Sequence, residues 1–188
     1  MTPAEPPGPD ARAVLDFWFR EAGPEAWFKR SDAFDETCRD RFLALHEDAA
    51  AGRLDGWAGT ADGALALLIL LDQLPRNMFR GSPRAFATDP KARGIARDAI
   101  AAGFDLALPA ERRIFVYLPL EHSEDPDDQR DCVALVRERI GDAEMIDYAE
   151  RHLAIIARFG RFPHRNAILG RPSTEEEQEF LAQPGSSF

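Results

Sequence analysis

The chain has few of the features that define several large classes of protein. Its longest strongly apolar run, Ala64 to Leu71, falls far short of the roughly 20 residues that span a bilayer, so a soluble protein is expected. Two cysteines, Cys38 and Cys132, lie in helical patterns with no nearby partner. They are too few for a disulfide framework or a cysteine zinc site, and they read as free, buried thiols in a reducing cytoplasm. Met1 to Asp10 holds four prolines and no Lys or Arg, which lacks both the charged and the apolar region of a secretory signal. Residues 1–9 therefore read as a flexible leader. No Gly-x-Ser-x-Gly elbow, Walker loop, dinucleotide glycine fingerprint or zinc-protease motif occurs, which disfavours serine hydrolases, P-loop ATPases and Rossmann oxidoreductases. The alternation of a half-buried strand is missing as well.

What is present is an acidic, strongly helical chain. Its 188 residues, 45% of them hydrophobic, suffice for one domain over residues 10–188 and are too few for two typical ones. Lys and Arg number 23 against 33 Asp and Glu, a formal charge of -10 that repels phosphate backbones and anionic bilayers. Neither nucleic acid nor a membrane is expected as a partner, although a local basic site is compatible with this charge.

Apolar residues recur at three and four spacing almost throughout, which predicts an all-α protein of seven to eight helices in antiparallel pairs. Ser31, Thr60, Asp89 before Pro90, Asp125 before Pro126, and Asp142 read as N-caps, and Ser173 with Glu176 reads as a capping box. Trp27 and Phe28 read as a short aromatic plug after the first helix. The segment Leu65 to Leu71 is apolar all round its axis, the mark of a helix enclosed by others. Either a stacked helical-hairpin protein or an irregular bundle accommodates this pattern, and no clean repeat period decides between them.

Two polar blocks follow apolar helices at Leu-Pro: Leu71-Asp72-Gln73-Leu74-Pro75-Arg76-Asn77-Met78-Phe79-Arg80-Gly81 and Tyr117-Leu118-Pro119-Leu120-Glu121-His122-Ser123-Glu124-Asp125. Within a helix Pro75 frees the carbonyl of Leu71 and Pro119 that of Phe115, so each helix is expected to kink or end there, with Arg76, Asn77 and Arg80 as donors. Gln73 and Asn77 are assigned to that structural task, whereas the arginine forks suit a carboxylate or phosphate. Asp125, Asp127 and Asp128 are accounted for by the dipole of the helix they open. Glu121 and His122 are not, and a helical turn there would put His122 on one face with Asp125, oriented for proton transfer.

A third block, Arg158-Phe159-Gly160-Arg161-Phe162-Pro163-His164-Arg165-Asn166, is the most basic stretch of the chain. Arg158 and Arg161 suit a helix C-terminus, while His164 and Arg165 lie beyond it and face either the acidic Glu121–Asp125 block or an anion. His152, beside an apolar stripe, reads as a core histidine bonded to backbone. A metal held by His122, Glu121 and Asp125 with His152 or His164 ranks below the acid-base reading, because no two-histidine motif occurs at helical spacing. No metal site is assigned, and no cofactor is indicated.

These blocks, together with Val14-Leu15-Asp16-Phe17-Trp18-Phe19, resemble in the same order the uncharacterised bacterial family known as domain of unknown function nine-two-four. The resemblance implies a tetratricopeptide-like helical fold and no established activity, substrate or cofactor.

The expectation from the sequence is a cytoplasmic helical protein that binds a small anionic ligand. Arg76, Asn77, Arg80, Arg161, His164 and Arg165 form the binding set, and Glu121 and His122 supply acid-base chemistry. The rival is a tetratricopeptide-like peptide-binding module, its groove lined by residues such as Trp27 and Trp57, with the polar blocks as internal struts. Oligomeric state is not indicated.

Overall fold

A computed structural model of the chain describes residues 8–27 and 29–186. Phe28 and residues 1–7 of the expected leader lie outside the described residues. Among the described residues there are ten helices and no strand. Helix α1 (Pro9–Asp16) runs on into a π-helical turn, Phe17–Ala22. After α2 (Pro24–Trp27) and α3 (Asp32–Ala50), helix α4 comprises Ala61–Leu68, a π-helical turn Ile69–Gln73, and Leu74–Met78. Then follow α5 (Asp89–Ala101), α6 (Phe104–Ala107), α7 (Ala110–Glu121), α8 (Pro126–Arg139), α9 (Ala143–Phe159) and α10 (Glu175–Leu181). No helix among the described residues is long and apolar enough to cross a membrane.

The count exceeds the expected seven to eight because α2 and α6 are single turns, too short to show a period. Such turns have little stability of their own and are held by tertiary bonds. In α2 the Trp27 Nε1 donates to the Trp18 carbonyl at 2.7 Å. In α6, which follows Gly103 in the left-handed conformation (φ 73°), the buried Asp105 accepts from the Tyr117 hydroxyl at 2.5 Å. Arg113 also donates to the carbonyls of Asp105 and Leu108.

The chain divides into two compact units, residues 1–80 with 84–119, and residues 81–83 with 120–188. In the first, α4 is the central element: Leu65, Leu67, Leu68, Ile69, Leu70 and Leu71 are all fully buried. Helices α1, α3 and α5 pack around it. Its start is threaded tightly past the 3-10 turn Asp55–Gly59, where a Cβ at Gly63 would stand 2.1 Å from the Trp57 carbonyl oxygen. Trp18, Phe19, Trp27 and Phe115 form an aromatic cluster in this unit, with Trp18 stacked on Trp27 and both edge-on to Phe115.

Pro75 neither ends nor interrupts α4 as a helical element. The wide turn just before it carries the Leu74 N–H back to the Ile69 carbonyl, five residues away, and the helix continues to Met78. The carbonyls around it are satisfied from outside the ladder. Leu70 accepts from His46 Nδ1 at 2.9 Å, Leu71 from the Thr88 hydroxyl at 2.6 Å, and Asp72 from Arg76 at 2.5 Å. Of the donors expected from sequence, Arg76 alone serves a carbonyl there, and the proline-freed Leu71 oxygen is taken by Thr88. Pro119 likewise lies inside α7, which continues to Glu121.

Ser31, Thr60, Asp125 and Asp142 cap α3, α4, α8 and α9 through their side chains, as their positions predict. Two caps move by one residue. Thr88, not Asp89, stands at the N-cap of α5, and it makes no side-chain capping bond. The Asp89 carboxylate is bound instead by Arg76. The capping box of α10 is Thr174 with Glu177, since the Ser173 hydroxyl accepts from Asn166 Nδ2.

In the second unit α8 and α9 pack on each other, joined through Gly141 at φ 75°. Ile155, Ile156 and Phe162 form an apolar core there, with Phe159 and Phe180 against it.

Candidate functional site

Residues 71–80 of the first Leu-Pro block lie in the first unit, and its cations are bound to carboxylates. Arg76 meets both oxygens of Asp89 at 3.1 Å and lies 3.2 Å from the Asp72 carboxylate, which in turn accepts from Gln73 at 2.5 Å. Arg80 grips Asp35 in a fork at 2.6 and 2.9 Å, and Asn77 donates to the same carboxylate at 2.8 Å. Burial opposes the charge on Asp35, yet the bonds from Arg80 and Asn77 outweigh it and its pKa falls below the ordinary carboxylate value. Arg39 closes this region by donating to the Met78 carbonyl at 2.6 Å. The arginines of the block are therefore neutralised by Asp72 together with Asp35 of α3 and Asp89 of α5.

Residues 120–125 of the second block share the second unit with the third block, and there Glu121, His122, His164 and Arg165 gather with Phe162 of the third block and with His152 of α9. Where α7 ends at Glu121, Gln129 of α8 receives the carbonyls of its last turn and of the turn beyond: the amide Nε2 donates to Glu121 O at 2.5 Å and Ser123 O at 2.7 Å, and reaches Leu120 O at 3.4 Å. The turn beyond is not helical, which corrects the expected pairing of His122 with Asp125. Asp125 instead accepts from the Asp127 N–H as the cap of α8, and Ser123 binds Asp128 at 2.6 Å.

Released from that turn, His122 is half-buried with its ring centroid 6.5 Å from that of His152. His152 sits on α9, 4% exposed, edge-on to Phe162 at 5.7 Å. Phe162 has His164 5.6 Å from its centroid and the Arg165 guanidinium over its face at 4.6 Å. The Glu121 carboxylate lies 3.6 Å from His152 Nδ1 on one side and 3.9 Å from Cys132 Sγ on the other.

The electrostatics of this cluster follow from burial. His152 Nδ1 is 2.8 Å from the Tyr148 carbonyl, which only accepts, so Nδ1 carries the hydrogen and Nε2 the lone pair. Burial pushes its pKa down to about 3; the Tyr148 bond opposes this, and the positive neighbours His122, Arg165 and His164 add to it. His152 is thus a neutral imidazole of fixed tautomer. Burial, followed by the charge of Glu121, raises the Cys132 thiol well above its ordinary value, so it remains protonated and is no nucleophile.

A second carboxylate closes the region. Glu124 accepts from the Phe162 N–H at 2.8 Å and from Arg171 in a fork at 2.7 and 2.8 Å. Burial works against its charge, and those bonds win, lowering its pKa. Arg171 also holds Asn166 at 3.0 Å, which fixes the loop carrying His164 and Arg165. Arg161 is committed elsewhere, forked on Glu177 at 2.6 and 2.8 Å.

Of the eight residues singled out from sequence, Arg76, Asn77 and Arg80 belong to the first unit and Glu121, His122, Arg161, His164 and Arg165 to the second. Cys132, Arg171 and the role of His152 beside Glu121 carried no local signal, because each reaches the cluster from a separate helix or loop. Among the described residues no three His, Cys, Asp or Glu side chains converge as a metal-binding group.

A family model described as a bacterial protein of unknown function (DUF924) matches residues 14–185, nearly the whole chain. The chain belongs to that family. It is also similar to a solved structure of a protein of unknown function from Agrobacterium tumefaciens, with 45% identity and a TM-score of 0.88 over 92% of this chain and 96% of that one. No curated protein matches the chain. The DUF924 model takes in both Leu-Pro blocks and the third block, so the cluster of the second unit lies wholly within the family region.

Proposed function

We propose that the second unit binds a small anionic molecule at the His122, His152, His164 and Arg165 cluster, and that this is the protein's function in the cytoplasm. The observation that carries the reading is the gathering of His152, His164 and the Arg165 guanidinium around Phe162, with His122 beside His152, in a chain of formal charge -10. A local positive field in an acidic protein favours an anionic ligand. Arg165 anchors the anion, His122 and His164 meet it from the more exposed side, and His152 lines the cluster as a neutral imidazole fixed by the Tyr148 carbonyl. Arg76, Asn77 and Arg80 act as internal struts, and Arg161 as a brace for α10.

A thermal-shift screen against metabolite anions tests this on the intact chain. A ligand at 100 times its Kd stabilises by about 2.7 kcal/mol, several degrees in Tm for a chain of this size. That gain should vanish in both His122→Ala and Arg165→Met. A broad library with no stabilising anion would sink the reading.

The second reading is a tetratricopeptide-like module that takes a peptide. What favours it is the commitment of Arg76, Arg80 and Arg161 to carboxylates, as struts require. A peptide that stabilises the protein equally with and without His122 would support it.

A further inference from the structure

The chain holds two Asp-Gly pairs, Asp55-Gly56 and Asp62-Gly63, and no Asn-Gly pair. An aspartate followed by glycine is prone to rearrange unaided, because glycine has no Cβ to crowd its nitrogen as it closes on the neighbouring carboxyl. We infer that Asp55 is a site of spontaneous conversion to isoaspartate, that Asp62 is protected from it, and that the modified turn loosens the start of α4.

The two pairs have opposite surroundings. Asp55 and Gly56 open the 3-10 turn Asp55–Gly59, and both are exposed, the Asp55 side chain by 60%. A Cβ at Gly56 would have no heavy atom within 4 Å. The turn is held by the Asp55 N–H on the Gly52 carbonyl at 3.3 Å and the Trp57 N–H on the Leu54 carbonyl at 2.9 Å, and a short exposed turn of this kind opens locally at little cost. Asp62 and Gly63 lie instead in the first turn of α4, where Gly63 is buried and its N–H donates to the Thr60 hydroxyl at 3.1 Å. A Cβ there would stand 2.1 Å from the Trp57 carbonyl oxygen, so this backbone has no room to rotate and its nitrogen is engaged.

One contact restrains Asp55. Its Oδ1 is 2.6 Å from Nζ of Lys91 on α5, which also donates to the Ala49 carbonyl at 2.8 Å. The carboxylate must leave that exposed pair before the ring closes, a modest brake.

The reaction needs only water. The Gly56 nitrogen bonds to Asp55 Cγ as one Cγ–O bond breaks, and that oxygen leaves as water with the amide hydrogen and a proton from solvent. Water then adds to either carbonyl of the five-membered imide and opens its C–N bond, returning the proton. Opening at Cγ restores aspartate, whereas opening at the Asp55 main-chain carbonyl leaves the chain running through Cβ, longer by one carbon. Trp57, whose carbonyl is fitted against Gly63, lies just beyond Gly56, so the added length reaches the tightest packing point at the start of α4.

The test incubates the intact protein at pH 7.4 and 37 °C, follows isoaspartate by peptide mapping with electron-transfer fragmentation, and melts the same samples. Isoaspartate should accumulate at residue 55 at least about 10-fold faster than at residue 62, which is held in the packed helix. Gly56→Ala, whose Cβ meets open space, should slow it at least about 5-fold by crowding the nitrogen. Asp55→Glu keeps a carboxylate for Lys91 and should abolish it, because the ring to be closed is larger. Lys91→Met should speed it by about 2- to 5-fold, the worth of an exposed pair. The melting temperature of wild type should fall with incubation while that of Asp55→Glu holds. Equal rates at residues 55 and 62, or no isoaspartate at 55 by the time a free peptide of residues 52–59 has converted, overturns the site. Isoaspartate at 55 with unchanged melting overturns the loosening of α4.

Discussion

Replacing His152 with Asn tests the electrostatics of the candidate site without reference to any ligand. In the folded chain His152 titrates near pH 3 because it is buried among positive neighbours, whereas in the unfolded chain it titrates near 6.5. A histidine with a depressed folded pKa contributes stability that is complete above the unfolded pKa. It is lost as pH falls, because only the unfolded chain then takes the proton. Between pH 7 and pH 5 that linkage costs the native state about 2 kcal/mol, from the integrated difference in bound protons. Asn keeps an N–H for the Tyr148 carbonyl and removes the titration. Urea unfolding at pH 5, 6 and 7 should show wild type losing about 2 kcal/mol more than His152→Asn across this range. His46 is also held below its ordinary value, chiefly by burial, and works in the same direction, but it is present in both proteins and cancels. The depressed carboxylates Asp35 and Glu124 lose their contribution below about pH 4.5, outside the range measured. Parallel loss in the two proteins would mean that His152 is protonated in the native state, and its assignment as a buried neutral imidazole would go with it.

Three further outcomes follow from the fold. Thr88→Val keeps the shape of residue 88 but strips the donor from the Leu71 carbonyl, costing about 1–3 kcal/mol by chemical denaturation; no loss would show that water replaces the hydroxyl. Arg80→Ala leaves the buried Asp35 carboxylate with Asn77 alone. Breaking a buried pair costs about 3–5 kcal/mol, and Arg80 is a third exposed, so about 1–3 kcal/mol is expected, with part of it recovered in the Arg80→Ala, Asp35→Asn double variant. Gly63→Ala drives a methyl into the Trp57 carbonyl and should lower the melting temperature by several degrees through about 1–3 kcal/mol of overpacking, where an ordinary helix glycine would gain from the change.

The helical class, the enclosed helix α4 and four helix caps were legible because they rest on local pattern: apolar residues all round Leu65 to Leu71, and Ser, Thr or Asp just ahead of a periodic run. The two single-turn helices were not, since Trp27 and Asp105 are held by Trp18 and Tyr117 from other segments. The caps misplaced by one residue failed for the same reason. The two expected caps, Asp89 and Ser173, have side chains engaged with partners outside the local turn, Arg76 and Asn166. At the site, the residues after Pro119 and Gly160 could be singled out as polar groups with no local task. That Glu124 would be claimed by Arg171, 47 residues on, and that His122 would turn to His152 rather than Asp125 depends on how α8 meets the end of α7 through Gln129.

The wide turn at Ile69–Gln73 has a consequence for how the first unit breathes. Its carbonyls are completed by His46, Arg76 and Thr88, two of them on other segments, so the turn cannot open while those segments stay docked. Nor can α3 or the stretch leading into α5 lift away without stranding a buried oxygen in the middle of the unit's most apolar helix. The amides of α4 are thereby tied to the opening of the whole unit, and their exchange with solvent measures its global stability instead of the fraying of one helix.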